Sequence, residues 1–381
     1  MPRWMRGATM PKPTIANKAI SDVQQQAYDA VQEHGTIRAA ARALGEGYSS
    51  VHRKYNITKA KIELDPGVAD ALDEVGIQDP TRVRGGWLKT KHASVQFSMP
   101  KIGEIGIEDS AERIKDALLG IPPPEPIEAP TEAVDGLLTL YPMPDIHAGL
   151  RTDAQTLEST VERLVGGMRD CVSRSPKSAT GVLLVLGDML HHNDNENATP
   201  ASKHALDVLA SIEETALAMI AGLARCVEIA LLHHSRVVVS ILRGNHDRDA
   251  YLIVLYSLAE RYRNHPRIDV QRDEGEFFVI QHGKCLLAAH HGDKAKPERL
   301  VMALADEFPQ LWGETRHRFY YTGHLHHHKS ADIGGVQWEQ LRAVTKRDRY
   351  AKDNAYTARS QMQAITFDDK SGEVSRVKIN L

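Results

Sequence analysis

Five short segments of the chain carry the same kind of chemistry. They are Asp145-Ile146-His147, Gly187-Asp188, Gly244-Asn245-His246-Asp247, His291-Gly292-Asp293 and Gly323-His324-Leu325-His326. Their side chains are imidazoles, carboxylates and an amide, the oxygen and nitrogen donors that suit Mn²⁺, Fe or Zn²⁺. No cysteine stands among them to build a thiolate site. The chain has 19 histidines, and many cluster: His191-His192, His233-His234, His290-His291, and His324 with His326-His327-His328. Singly, each signal is ordinary. Gly-Asp after an apolar run reads as a turn, Gly-Asn-His-Asp reads equally as a turn with an Asx cap, and a His-rich tract has incidental metal affinity. His233-His234 reads as a helix end or a surface pair. The ordered set is what carries meaning.

Each segment follows a stretch that reads as a β-strand. Apolar runs cover 137–143, 181–187, 236–244, 276–281, 285–290, 318–323 and 335–341. A last hairpin is expected from SQMQAITF and EVSRVKIN, with DDKSG as its turn. Amphipathic stretches at 155–173, 201–231, 248–263 and 297–307 read as helices. Strands alternating with helices define an α/β domain, and such domains bind ligands beyond the carboxyl ends of their strands. The spacing of two in Asp145-x-His147 and His324-x-His326 would aim both members of each pair the same way along extended backbone. Asp188 on its glycine turn is a natural anion to place between two cations. His290 and His291 stay interchangeable at this stage, because a one-residue shift of register swaps them.

Composition bounds the rest. The 381 residues hold 47 Lys+Arg, 50 Asp+Glu and 3 Cys. The cysteines are too few and scattered for a disulfide framework, which fits a reducing compartment, and a cytoplasmic location is expected. No apolar run is long enough to span a membrane, and the N-terminus lacks the apolar middle of a signal peptide. Residues 1–60 carry nine Lys/Arg against four Asp/Glu, so a basic head precedes an acidic body. Between Ile121 and Ala133 lie five prolines and three glutamates. That stretch reads as a stiff linker. The expected division is therefore 1–60, a helical head; 61–121, a connecting module with an acidic helical stretch at Val68–Val75 and a strand at SVQFSM; 122–135, the linker; and 136–381, the α/β domain.

The order D-x-H, G-D, G-N-H-D, H-G-D, G-H-x-H resembles that of the calcineurin-like metallophosphoesterases, the superfamily that includes the Mre11/SbcD nucleases. The resemblance covers about 137–381. It implies a four-layer αββα sandwich and a binuclear metal site. Asp145, His147 and His326 would hold one divalent ion and Asn245, His291 and His324 the other, with Asp188 bridging. The ions are expected to be Mn²⁺, with Fe or Zn²⁺ as alternatives. His246 would act on the phosphate or leaving oxygen, and Asp247 would orient it. The Ser/Thr phosphatase branch continues G-D with x-x-D-R-G, whereas Asp188 here is followed by MLHHNDN, so that branch is disfavoured. His192 and Asn193 stand as candidates for supporting roles.

Residues 36–55 resemble a helix-turn-helix. Ala41, Gly45 and Val51 occupy its small, glycine and apolar positions, while Glu46 and Lys54 stand where apolar residues are usual. On that reading Ser49, Ser50, His52, Arg53 and Lys54 would approach DNA, with Arg38, Arg42 and Lys59 on phosphates. A small helical bundle that binds protein or merely packs is the other reading. A helix-turn-helix ahead of this catalytic type resembles phage and prophage proteins. The implied function is a binuclear-metal phosphodiesterase, a DNA nuclease without membrane attachment. A phosphomonoesterase, or a DNA-binding regulator with a non-catalytic metal domain, remains the alternative. Lys346, Arg347, Arg349, Lys352 and Arg359 could line a nucleic-acid path or an ordinary loop.

Overall fold

The computed structural model describes residues 21–63, 85–89, 94–98, 126–152, 155–200, 206–272, 276–347 and 357–381. The expected loose tail, the acidic stretch Val68–Val75 and linker residues 122–125 lie outside these. The chain divides into two compact units, 1–108 and 109–381.

In the first unit, α1 (Asp22–His34), α2 (Ile37–Leu44) and α3 (Tyr48–Glu63) follow one another closely. Ser21 caps α1 in a capping box with Gln24. Gly35 and Gly45 end α1 and α2 at φ 73° and 65°, a left-handed conformation that suits glycine. Ala27, Ala30, Val31, Ala40, Ala41 and Val51 form the buried centre. Tyr28 stacks on Tyr55 with centroids 5.3 Å apart. A hairpin of β1 (Gly85–Lys89) and β2 (Ser94–Ser98) follows.

The second unit is built on two sheets. Its elements in chain order are β3 (Val134–Met143), α4 (Leu157–Arg174), β4 (Ser178–Leu186), α5 (Ile212–Leu231), β5 (Arg236–Leu242), α6 (Tyr251–Arg261), β6 (Ile268–Val270), β7 (Phe277–His282), β8 (Cys285–His290), α7 (Pro297–Glu307), α8 (Pro309–Glu314), β9 (His317–Thr322), β10 (Lys329–Ile333), β11 (Val336–Gln340), β12 (Gln361–Asp368) and β13 (Gly372–Asn380). One sheet runs β13-β12-β3-β4-β5-β6, with β3 to β6 parallel. The other runs β10-β11-β9-β8-β7, with β11, β9 and β8 parallel.

Alternation along the strands sorts three apolar layers. Leu138, Leu140, Val182, Leu184 and Val238 of the first sheet meet Leu287, Ala289, Phe319 and Tyr321 of the second. The opposite faces, Tyr141, Leu183, Val185 and Val239, pack on α4, α5 and α6. Leu286, Ala288, Tyr320 and Trp338 pack on α7 and α8. The result is four layers, α-β-β-α. The strands β3, β4 and β5 are buried on both faces, which is why they read as continuous apolar runs.

Several elements depart from expectation. α5 begins at Ile212, not at residue 201. Ser211 caps it with Glu214, and the stretch before it is tied to the loop after β3 by Leu209 N to Gly149 O and Arg151 N to Asp207 O. The short β6, β10 and α8 had no counterpart in the sequence reading. At the end of the proline-rich segment Ile127 packs on the helical side, and its carbonyl accepts from Arg267 Nη1 at 2.5 Å.

His234 corrects the surface reading of its pair, since it is fully buried. Its Nδ1 donates to the Ser178 carbonyl at 2.9 Å, so its Nε2 accepts from the Tyr141 hydroxyl at 2.7 Å. Burial, aided by His233 and opposed by the Ser178 bond, lowers its pKa to about 4. The unfolded chain then binds this proton more readily. The stability His234 contributes is fully present above about pH 6.5 and is lost as pH falls toward 4. Urea unfolding from pH 7 to pH 5 should show roughly 2 kcal/mol less of acid loss in His234→Gln than in the parent protein. Equal pH slopes would contradict this.

Candidate metal centre

The ends of β3, β4 and β5 lie side by side because those strands are parallel neighbours, and so do the ends of β8 and β9. Backbone hydrogen bonds fasten neighbouring ends within each set. Asp145 N donates to Gly187 O, His147 N to Asp188 O and Gly323 N to His291 O. The Asp145 carboxylate, from the first sheet, accepts from His324 N, from the second, at 3.0 and 3.1 Å.

The backbone there is not extended. Asp145, His147, Asp188, His324 and His326 have φ of 51°, 46°, 48°, 68° and 59°. This overturns the expected route by which paired side chains converge. Both members of each pair point together because both are left-handed. The residue between them turns away: Ile146 is buried in the core and Leu325 is exposed. Left-handed non-glycine residues cost about 1–2 kcal/mol each, so the surrounding packing and hydrogen bonds must hold them.

Three donor groups result. Asp145, His147 and His326 form the first, Asp188, His291 and His324 the second, and His147 with His191 and His246 the third, with donor atoms in each group within 4.8 Å of one another. In the first, His326 Nε2 lies 3.4 Å from Asp145 Oδ1 and 3.2 Å from His147 Nε2. In the second, His291 Nε2 lies 3.2 Å from Asp188 Oδ2 and 3.1 Å from Asn245 Oδ1. Asp188 Oδ2 is also 3.8 Å from His147 Nε2, so this carboxylate stands between the first two groups. Its Oδ1 accepts from His246 N at 2.8 Å. All seven expected donors are thus brought together. His290 faces elsewhere, with its Nε2 3.4 Å from Glu276 and its Nδ1 accepting from Gly292 N.

Electrostatics make the same point. Burial would raise the pKa of Asp188, but His291 beside it holds the carboxyl well below its usual range. Burial would lower His291, yet Asp188 raises it to about 10. His147 is depressed by burial and by His246, and His324 by burial and by His291. Facing imidazole nitrogens and carboxylate oxygens, with both carboxylates, His147 and His291 buried and His324 and His326 half-buried, fit divalent cations by donor type and by charge. Gly244 leaves room for this arrangement. A Cβ there would lie 1.9 Å from Asp188 Oδ1 and 2.2 Å from Asp188 N.

Two assignments change. The Asp247 side chain was expected to orient His246, but both its oxygens are taken by backbone: Oδ1 by Gly244 N at 2.9 Å and Oδ2 by Leu190 N at 3.0 Å. Burial, and then Asp188, raises its pKa to about 6. It shapes the turn, while the His191 carbonyl orients His246 by accepting from its Nδ1 at 2.8 Å. His191 itself was missed. Its Nδ1 is 3.3 Å from His147 Nδ1, and its ring stacks on His246 at 5.1 Å. Burial and His246 lower its pKa to about 3, so it stays neutral. Its sequence signals were its place three residues after Asp188 and its pairing with His192. Its neighbour His192 is buried beside Gly149.

In the first unit three of the residues expected at DNA, Ser50, His52 and Lys54, have partners within their own unit. Glu46 accepts from Ser50 Oγ at 2.8 Å and pairs with Lys54 Nζ at 2.5 Å. The two positions that departed from the motif therefore satisfy each other. His52 meets Asn56 at 3.1 Å, and Arg42 is exposed. The side chains of Arg38, Ser49 and Arg53 lie outside the described residues, as do Arg349 and Lys352.

Gly244→Ala should weaken Mn²⁺ binding by about a hundredfold, since neither clashing atom can move without displacing Asp188. Titration calorimetry checks this. In two buffers of different ionisation enthalpy at pH 7 it should also show about one proton released on loading, from His291. Parental affinity in the variant would contradict the cradle.

No protein-family model matches this chain, and no curated protein resembles it in sequence. Solved structures do resemble it in chain course. A conserved protein of Streptococcus pneumoniae described as a predicted phosphoesterase is 12% identical, with a TM-score of 0.30, over 64% of this chain and 98% of that one. An archaeal phosphodiesterase is 10% identical, with a TM-score of 0.31, over 64% and 99%. Vps29 of Entamoeba histolytica, solved with Zn²⁺, is 14% identical, with a TM-score of 0.28, over 64% and 98%. At these scores the chemistry of this chain has to be argued from its own side chains.

Proposed function

We propose that the second unit is a two-metal phosphodiesterase acting on DNA, and that the helical head tethers it there. One observation carries the reading: the Asp188 carboxylate stands between two His/Asp groups, 3.2 Å from His291 and 3.8 Å from His147. Asp145, His147 and His326 would hold one cation and Asn245, His291 and His324 the other, with Asp188 shared. A cation pair so held would supply charge neutralisation of the phosphate and activation of water. Mn²⁺ is the first choice for this mixed N/O donor set.

The protein's own groups supply the rest. A carbonyl can only accept, so His246 carries a proton on Nδ1 and its Nε2 is the nitrogen that handles a proton. His246 is half-buried and its ring meets that of His147 edge-on at 4.7 Å, which supports a role for it at a phosphoester held by the centre. Protonated, it donates to the departing alkoxide. The His326 side chain is 40% exposed, so the centre is open to a substrate on the β9 side. The choice of DNA is supported by the basic head, by its helix-turn-helix resemblance and by exposed Arg42.

The full chain with Mn²⁺ should hydrolyse bis-p-nitrophenyl phosphate and DNA in preference to the monoester. Monoester-only cleavage would overturn the diester assignment, and silence on every substrate would overturn the enzymatic one. His246→Ala should keep its Mn²⁺ affinity and lose about a hundredfold or more in turnover. Arg42→Glu should weaken DNA binding and leave hydrolysis of the small diester unchanged; unaltered DNA binding would remove Arg42 from the interface.

A further inference from the structure

His246 takes its ring orientation from a segment that is not its own. The ring sits in the turn after β5, and the carbonyl that receives its Nδ1 proton belongs to His191, in the loop after β4. Neither segment is helix or strand. The geometry of the bond therefore depends on whatever staples loop to turn. Before His191, two bonds do so: Asp188 Oδ1 accepts from His246 N, and Asp247 Oδ2 accepts from Leu190 N.

After His191, among the described residues, the staple is a single side chain. Asn193 Oδ1 accepts from Asp249 N at 2.7 Å and from Ala250 N at 3.1 Å, and its Nδ2 donates to Asp249 Oδ2 at 3.1 Å. The place is telling. α6 starts directly after Ala250, which has no side chain to cap the helix; its first N–H groups bond to backbone, Tyr251 N to Asp247 O and Leu252 N to Asp249 O, and Asn193 takes the two N–H groups just before it, those of Asp249 and Ala250. The same amide thus ties the residues before α6, at the end of the His246 turn, to the loop two residues beyond His191, whose own N–H is held by the Ala148 carbonyl at 2.8 Å.

We propose that Asn193 is a positioning residue for His246: it holds the His191 carbonyl against Nδ1 and so fixes the ring's tautomer and aim. With Nδ1–H committed to that carbonyl, the proton on Nε2 passes to the leaving oxygen as the P–O bond breaks, and Nδ1 keeps its own. The kinetic consequence rests on the phosphodiesterase reading; the tautomer does not. Without Asn193 the loop moves relative to the turn and the ring loses its anchor. The loss weighs most on substrates whose leaving group needs the proton.

The test uses the full chain loaded with Mn²⁺ and two diesters. In a dinucleotide the leaving group is an alkoxide; in bis-p-nitrophenyl phosphate it is a stable phenolate. Asn193→Ala should lower kcat on the dinucleotide about tenfold or more and on the nitrophenyl diester less than about threefold, with KM and Mn²⁺ affinity nearly unchanged. The exchange pair N193D with D249N keeps every donor and acceptor with roles reversed, and it should restore the dinucleotide rate. Nitrogen-15 NMR of the His246 ring should show the Nδ1–H tautomer in the parent protein and a mixture in Asn193→Ala. Proportional loss on both diesters, no restoration by the exchange pair, or an unmoved tautomer would overturn the inference. A parent protein inactive on both diesters would remove the phosphodiesterase reading instead, and the NMR comparison would still decide the role of Asn193.

Discussion

Asp188 is 1% exposed, and an ionised carboxylate at that depth must be met by positive charge or by hydrogen-bond donors. The protein gives it one backbone donor, His246 N, and two imidazoles, His147 and His291. It gives it no Lys or Arg among the described residues. This is the constraint on which the rest of the second unit depends. A proton on His291 satisfies it in one way, and a cation shared with the neighbouring group satisfies it in another. Because the same oxygen faces both groups, the two donor sets are one electrostatic object.

Holding that object costs backbone energy. Five site residues are left-handed, and of the described non-glycine residues with positive φ only Asn197 lies elsewhere. At about 1–2 kcal/mol each, the total is comparable with the net stability of a domain. The offset comes from the sheets. Three parallel strands fully buried on both faces end in register, and their carboxyl ends meet those of β8 and β9 through bonds such as Asp145 to His324 N. The sandwich serves as a rigid frame whose surplus packing energy is stored at one edge. Gly244 contributes by lacking an atom, since any side chain there would occupy the space of Asp188.

The split between what was readable and what was not follows from these forces. Buried parallel strands announce themselves as apolar runs, so β3, β4, β5 and β8 were located to within a few residues, and with them the five ligand segments. The seven donors were named through the resemblance of their motif order to a known superfamily, and the fold brings those side chains together. The means of convergence was illegible, because a left-handed Asp or His leaves no periodicity. β10 was illegible for a related reason: its side chains are mostly exposed, so Lys329–Ile333 has no apolar alternation to read. His191 and Asp247 went astray because both act across loops, where sequence distance says nothing of direction. The Glu46–Lys54 pair shows the converse. Two positions that weakened a motif prove complementary once the helices are placed.

The histidines show why residue counting alone could not have separated site from scaffold. His234 is as deeply buried as His291, yet its two nitrogens are closed off by the Ser178 carbonyl and the Tyr141 hydroxyl. Its lone pair is used inside the protein, and it fastens α5 to β4. His291 also has one nitrogen on a carbonyl, that of Leu186 at 3.0 Å, but the other faces Asp188 and Asn245, two groups that offer oxygen. His246 is again anchored by one carbonyl through Nδ1. In each case the backbone bond selects the tautomer, and the second nitrogen decides the use that is open to the ring. A hydroxyl there makes a structural histidine, a convergent carboxylate would suit a ligand, and an opening to solvent would suit a proton donor. That rule depends on partners rather than on burial, and it accounts for one chain using a single residue type in three chemically distinct ways.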